Sequence, residues 1–237
     1  MMSTVAGGWR GPNIIKDGLT LYLDADSTNS YDRIGNTWKD ISGNSYNGTI
    51  TNSPTFDNSS VGSFNFSASN QYITLGTPSL LNQVQVPLTI CAWVKLGSAS
   101  GLRTIYGVYK TTVGGSIYSL LRYDGGVLKY YGSNSSGGFQ SAGTFTLNLD
   151  TWYFLAVSVS GSISSPTVTI YRNSTSESFS YGAFTSTPDP TVDFRIGASQ
   201  AGEAWFGNIS KVMVYTKALS TEEILQNYNA TKSRFGL

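Results

Sequence analysis

Phe194-Arg195-Ile196-Gly197, Trp205-Phe206-Gly207-Asn208-Ile209-Ser210-Lys211-Val212-Met213-Val214-Tyr215 and Ala218-Leu219-Ser220-Thr221-Glu222-Glu223-Ile224 decide the fold of this 237-residue chain. The first two runs are rich in aromatic and β-branched residues, which suit a pleated, half-buried surface. An aromatic-glycine step, Phe206-Gly207, separates them. The third run starts a helix. Ser220 stands three residues before Glu223, the spacing of a capping box in which each residue bonds the other's backbone amide. Ile224, Leu225 and Tyr228 then supply an apolar stripe. Two strands closing on one capped helix make a signature for the end of a β domain.

The rest of the chain, read backwards and forwards from that end, is β throughout. Leu19-Thr20-Leu21-Tyr22-Leu23-Asp24 alternates with period two and predicts a first strand. Thr37-Trp38, Asn47 to Ile50, Phe64-Asn65-Phe66 and Tyr72 to Leu75 predict further short strands. Pro87 to Lys95 predicts a strong one, followed by Arg103 to Val108, Ser116 to Tyr123 and Val127 to Tyr131. Asp124-Gly125-Gly126 between the last two is a hairpin signal. Trp152 to Ser160 and Thr167 to Asn173 predict another pair. About a dozen strands separated by turn residues give the pattern of a two-sheet sandwich. No linker or composition shift divides the chain. The expected organisation is an arm over residues 1–17, one domain over 18–230 and a tail over 231–237.

Composition agrees and excludes several functions. Fifteen Tyr, eleven Phe and five Trp accompany only 12% charged residues. That aromatic content argues against disorder. Net charge is +1 with scattered basic residues, so no basic stripe exists to engage a nucleic acid. The longest apolar runs are strand-length, far short of a membrane helix. Met1 to Gly8 shows no charged region followed by an apolar one, so synthesis in the cytoplasm without a signal peptide is expected. Cys91 is the single cysteine, reads as a small core residue, and rules out a disulfide within the chain.

Taken in order, Gly18 to Ala25, Asp40-Ile41-Ser42-Gly43-Asn44 with Asn47-Gly48-Thr49, Leu88 to Val94, Trp152 to Val157 and Val168 to Asn173 resemble the laminin-G-like, concanavalin A-like jelly-roll family. In the last of these, Ser174 replaces the glycine that often follows the asparagine. The resemblance implies an all-β, two-sheet concanavalin A-like sandwich with one short C-terminal helix. The arm leading into Pro12 to Gly18, and the ending from Gln226 to Leu237, are similar to versions found in tailed-phage virion proteins. Glucanases of this fold carry catalytic carboxylates as Glu-x-Asp-x-x-Glu. This chain has four Glu (Glu177, Glu203, Glu222 and Glu223) and no such motif, and it has no histidine. The expectation is therefore a protein without catalysis.

Family members often bind calcium near a sheet rim, which makes Asp24, Asp26 and Asp40 the candidate Ca²⁺ ligands. Where relatives commonly carry an acidic pair, Ser210 and Lys211 stand here. Asp40 has a second reading, as the acceptor of turn amides. Sugar binding needs an aromatic face with polar forks beside it. Tyr109, Tyr123, Tyr131, Asn134, Phe139 and Gln140 are the candidates, against the alternative that a strand Tyr is ordinary β packing. Trp9 and Arg10 of the arm are candidates for docking on a particle or a sister subunit. The resemblance thus implies a phage structural protein (head decoration, fibre or neck appendage) displayed on the virion surface. Its partners would be other virion proteins or copies of itself. The alternative is an adhesin for a host surface glycan, assisted by calcium.

Overall fold

The computed structural model describes residues 12–58, 61–77, 86–110, 116–133, 139–184 and 192–237. Sixteen strands lie among them: β1 (Leu19–Asp24), β2 (Thr37–Trp38), β3 (Gly48–Thr51), β4 (Thr55–Asp57), β5 (Ser63–Phe66), β6 (Tyr72–Thr74), β7 (Leu88–Leu96), β8 (Arg103–Lys110), β9 (Ser116–Asp124), β10 (Val127–Ser133), β11 (Phe139–Ala142), β12 (Trp152–Ser162), β13 (Ser165–Arg172), β14 (Thr175–Ser180), β15 (Phe194–Ile196) and β16 (Gly207–Tyr215). One helix, α1 (Thr221–Thr231), runs into a 3₁₀ turn over Lys232–Phe235.

The strands form two eight-stranded sheets. The back sheet runs β14-β13-β12-β7-β16-β5-β4, with β1 also paired to β16, and the front sheet runs β11-β10-β9-β8-β15-β6-β3-β2. Pairing between named strands is antiparallel throughout, as between β7 and β16 or β9 and β10. The chain crosses between sheets repeatedly, giving the jelly-roll sandwich that the sequence predicts. The hairpin at Gly125 and Gly126 also forms as expected, with both residues at positive φ, the backbone of a tight two-residue turn.

Alternation along the back sheet builds two cores. Ile90, Ala92, Val94, Leu155, Val157, Val212 and Val214 point between the sheets and join Ile105, Leu121, Tyr130 and Phe194 from the front sheet. The intervening residues Cys91, Trp93, Phe154, Met213 and Tyr215 point outward, where they meet Leu219, Ile224 and Phe235. All nine residues of β16 are buried. Its second half, Val212 to Tyr215, is a continuous apolar run because both of its faces are covered there.

A bulge in β16 sets which residue faces which core. The register against β7 shifts between Ile209 and Lys211, leaving Ser210 as the extra residue, its hydroxyl donating to the Gly62 carbonyl at 2.6 Å. A one-residue slip exchanges the faces of a strand. Without it, Lys211 would point between the sheets with Ile209. Beyond the bulge β16 also changes neighbour, from β5 to β1, which brings Lys211 opposite Asp24.

The outer core extends past the expected domain limits. Ile14 and Ile15 pack against it. The Phe235 ring stacks on Trp93 with centroids 3.8 Å apart, and the Trp93 indole N–H donates to the Thr231 hydroxyl at 2.8 Å. The supposed tail of 231–237 and part of the supposed arm of 1–17 are thus built into the sandwich.

The capping box of α1 is present as predicted, with Ser220 accepting from the Glu223 amide and Glu223 accepting from the Ser220 amide. The buried stripe differs from expectation. It is Ile224, Asn227 and Thr231, with Leu225 only half-buried. Asn227 is satisfied, accepting from the Ile15 amide at 2.8 Å and donating to the Tyr215 hydroxyl at 3.0 Å. Three strands went unforeseen: β4, β11 and β14. Each is short and paired on one side alone.

Candidate functional site

The outer face of the front sheet carries closely packed charged and aromatic side chains. Strand alternation turns Leu121 and Tyr123 of β9 and Leu128 and Tyr130 of β10 inward. Their neighbours Leu120, Arg122, Asp124, Lys129 and Tyr131 point outward. Leu120, Tyr131 and the half-buried Tyr109 make a small apolar patch there.

Beside the patch lies an ion cluster centred on Arg122, which is 7% exposed. Arg122 donates to Glu203 at 2.7 Å and to Asp124 at 3.4 Å. Its guanidinium lies 4.1 Å over the Tyr131 ring, a favourable cation–π geometry. The Tyr131 hydroxyl donates to Asp124, and Lys129 stands 3.7 Å from the same carboxylate. Glu203 comes from the 198–204 turn, pinned by the Gln200 amide donating to the Tyr109 carbonyl at 3.1 Å and the Trp205 amide donating to the Gly197 carbonyl at 2.8 Å. Ser199 donates to the second Glu203 oxygen at 3.3 Å. Two buried polar atoms of this cluster, Arg122 Nε and Gln200 Oε1, have no hydrogen-bond partner.

The electrostatics follow from this crowding. Burial alone would raise the Asp124 carboxyl, but Tyr131, Arg122 and Lys129 outweigh it and hold the group below its ordinary value. Burial also works against the Arg122 charge, yet Tyr131 and Glu203 keep it firmly protonated. Burial, reinforced by Asp124, pushes the Tyr131 hydroxyl up. Two cations face two carboxylates, so the cluster is close to neutral. It offers hydrogen-bond forks next to aromatic rings, the equipment for grasping hydroxyl pairs and the apolar face of a sugar ring.

The structure brings some of the sequence candidates together and separates others. Tyr109 and Tyr131 share the outer front face. Tyr131 is 3% exposed, so it acts through its edge and hydroxyl and offers no open platform. Tyr123 is buried in the central core, where alternation from Arg122 directs it, and its place among exposed aromatics is corrected. Gln140 lies elsewhere, accepting from the Gly182 amide at 2.6 Å and donating to the Gly182 carbonyl at 3.0 Å. It lines a cleft of about 340 Å³ between β11 and β14. Asn134, Trp9 and Arg10 lie outside the described residues, as does the side chain of Phe139.

The three aspartates proposed as calcium ligands do not form a cation site. Asp24, 2% exposed, receives Arg234 at 2.6 and 3.1 Å and Lys211 at 3.0 Å. Asp26 shares Arg234 at 3.6 Å. Asp40 accepts from the amides of Tyr22 at 2.9 Å, Ser42 at 2.8 Å and Tyr46 at 3.0 Å, organising the turn as its second reading foresaw. A Ca²⁺ at Asp24 would meet two cations already in contact with the carboxylate. Among the described residues no group of three His, Cys, Asp or Glu side chains converges as a metal set.

Arg122 and Glu203 were not foreseen as partners. Arg122 had a visible signal, a lone charge at an outward register position between Leu120 and Asp124. Glu203 had none, because only the fold brings its turn to β9.

The two antiparallel sheets packed face to face define a concanavalin A-like jelly-roll sandwich. Residues 67–225, about two thirds of the chain, match the family model described as the concanavalin A-like lectin/glucanases superfamily, and the chain belongs to that superfamily. No curated protein matches it. Solved structures share the fold at low identity. The chain is 17% identical to the receptor binding domain of botulinum neurotoxin C/D mosaic serotype, with a TM-score of 0.68, covering 92% of this chain and 52% of that one. For the Trypanosoma rangeli sialidase in complex with sialic acid the values are 14%, 0.68, 92% and 33%. For the binding domain of Paraclostridial Mosquitocidal Protein 1 they are 16%, 0.66, 91% and 52%. The chain therefore spans only a third to a half of these structures.

Proposed function

We propose that this chain is a non-catalytic carbohydrate-recognition domain that binds sugar hydroxyls on the outer face of its front sheet. One observation carries the reading: the outer back face is closed by α1 and the 3₁₀ turn, whereas the outer front face carries a charge cluster around the buried Arg122 in which Asp124, Lys129 and the neighbouring Tyr109 are partly exposed. The family and the printed names of its neighbours, a sialidase bound to sialic acid and a toxin's receptor binding domain, agree with that role. A binding role without turnover is supported by the state of the two carboxylates. Both are tied to Arg122, whereas glycoside hydrolysis needs carboxyl groups free to flank the scissile bond.

The wider setting we propose is the surface of a tailed-phage particle, where the domain would contact virion proteins or copies of itself. A structural fact favours it: residue 13 is held on the back of the sandwich, its carbonyl accepting from Gln226 at 2.8 Å. The described chain thus begins on the side away from the proposed sugar face.

A glycan array probed with the folded protein, with and without calcium, tests the proposal. Saturable binding lost in Tyr109→Ala and retained in Lys16→Ala, on the back, is the expected result. A blank array with well-folded protein overturns the sugar reading. Unchanged particle attachment after deletion of residues 1–11 overturns the anchoring role.

A further inference from the structure

A second, independent pocket lies on the back of the molecule. Ile14, Lys16, Tyr22, Lys211, Ala230 and Arg234 help line an open cleft of about 400 Å³ where the N-terminal segment meets β1, β16 and the end of α1. Its lining carries three cations and no carboxylate. Lys211 and Arg234 both bond Asp24, which lies behind the wall, and Arg234 also reaches Asp26. Lys16 makes no ion pair with a described residue and stands 5.4 Å over the Tyr22 ring. Three cations against two carboxylates leave a single positive charge.

We propose that this pocket binds a small ligand bearing one carboxylate, a uronic acid or similar sugar acid, with the carboxylate seated between Lys16 and Arg234. Three arguments select that class. The single residual charge is matched by one carboxylate and overmatched by a phosphate dianion. The volume falls in the range of small-molecule sites and is larger than one acidic side chain requires. No carboxylate of the described residues lines the site, and residues 1–11, which lead into Pro12, contain no Asp or Glu. The half-buried Tyr22 and the Ile14 and Ala230 walls provide apolar surface for the carbon skeleton. The front-sheet sugar face plays no part in this site.

Calorimetric titration of the full chain at low salt with glucuronate, glucose and inorganic phosphate tests it. Glucuronate should give a saturable heat, weakened about tenfold or more in Lys16→Glu, a surface change that leaves the melting temperature in place. Raising the salt to 0.5 M should weaken it further. Tyr109→Ala, on the front face, should leave it unchanged, which separates this site from the proposed glycan site. Absence of saturable glucuronate binding overturns the proposal, as does equal affinity for glucose, tighter binding of phosphate, or an unaltered affinity in Lys16→Glu.

Discussion

The two outer faces of this sandwich start from the same kind of strand and end in opposite states. On the back sheet, Cys91, Trp93, Phe154, Met213 and Tyr215 would be an exposed apolar stripe if the chain stopped at Tyr215. Instead α1 and the 3₁₀ turn lie across them and make a second core. On the front sheet the outward residues include Arg122, Asp124, Lys129 and Tyr131, which pair with one another and with Glu203. One face is closed by hydrophobic burial and the other is kept in place by charge pairing. The difference shows how one fold can close one face with an apolar core and hold the other with paired charges.

The comparison breaks most readily at Trp93. It is fully buried, stacked on Phe235 and bonded to Thr231, so Trp93→Ala removes the ring that the C-terminal segment rests on. The expected cost is about 3–5 kcal/mol, read as a large fall in the urea midpoint. A loss below about 1 kcal/mol would show that the helix is an accessory and that the back face is not a true core.

Asp24 comes next. Asp24→Asn leaves the buried Lys211 ammonium facing Arg234 without its main counter-charge, with an expected loss of roughly 3 kcal/mol. Asp24→Leu combined with Lys211→Met should recover most of it. The pair also has a pH signature. Burial opposes the Asp24 charge, but Lys211 and Arg234 outweigh it and hold its carboxyl below the ordinary value. A depressed carboxyl contributes stability that is full above its unfolded value of about 3.9 and is lost as pH falls through the folded one. Wild-type stability should therefore drop below about pH 4 more steeply than that of Asp24→Asn. Lys211 is the less firmly charged partner, since burial lowers it and Arg234 repels it.

A smaller effect is expected at the helix entrance. Ser220→Ala removes the cap on the Glu223 amide and should cost about 1 kcal/mol, measurable by thermal melting. The helix itself should persist, because Ile224 and Phe235 still anchor it.

How much of this was legible in the sequence depends on the range of the interaction. The capping box at Ser220 and Glu223, the Gly125-Gly126 turn and the alternation of β1, β7 and β12 are local, and all were readable. The role of Lys211 was not. It sits in a run that alternates only if Ser210 is recognised as a bulge, and nothing in Asn208-Ile209-Ser210-Lys211 announces one. The sequence had already departed there, replacing an acidic pair with Ser210 and Lys211. The physical consequence, a buried ammonium that occupies Asp24, needed β1 to be placed beside β16. Phe235 was unreadable for the same reason, since its partner Trp93 lies far away in sequence. Tyr123 and Tyr131 were indistinguishable as aromatic strand residues until the register of β9 and β10 turned one inward and the other outward.

The front face should yield the smallest change in stability and the clearest change in recognition. Lys129 and Asp124 are partly exposed and 3.7 Å apart, and a solvent-screened pair of that kind contributes less than about 1 kcal/mol. Lys129→Ala should therefore leave the melting temperature nearly unchanged. It also unbalances the cluster, because Asp124 loses one of the cations that neutralise it while Glu203 keeps Arg122. The added negative charge should repel acidic sugars more than neutral ones, so the ratio of neutral to sialylated glycan binding should rise on the array. A variant that melts like the wild type and shifts that ratio would place recognition on the front face. If the ratio stays fixed while the protein remains folded, the charged cluster serves to hold the 198–204 turn on β9, and the sugar contacts would have to lie elsewhere on the front sheet.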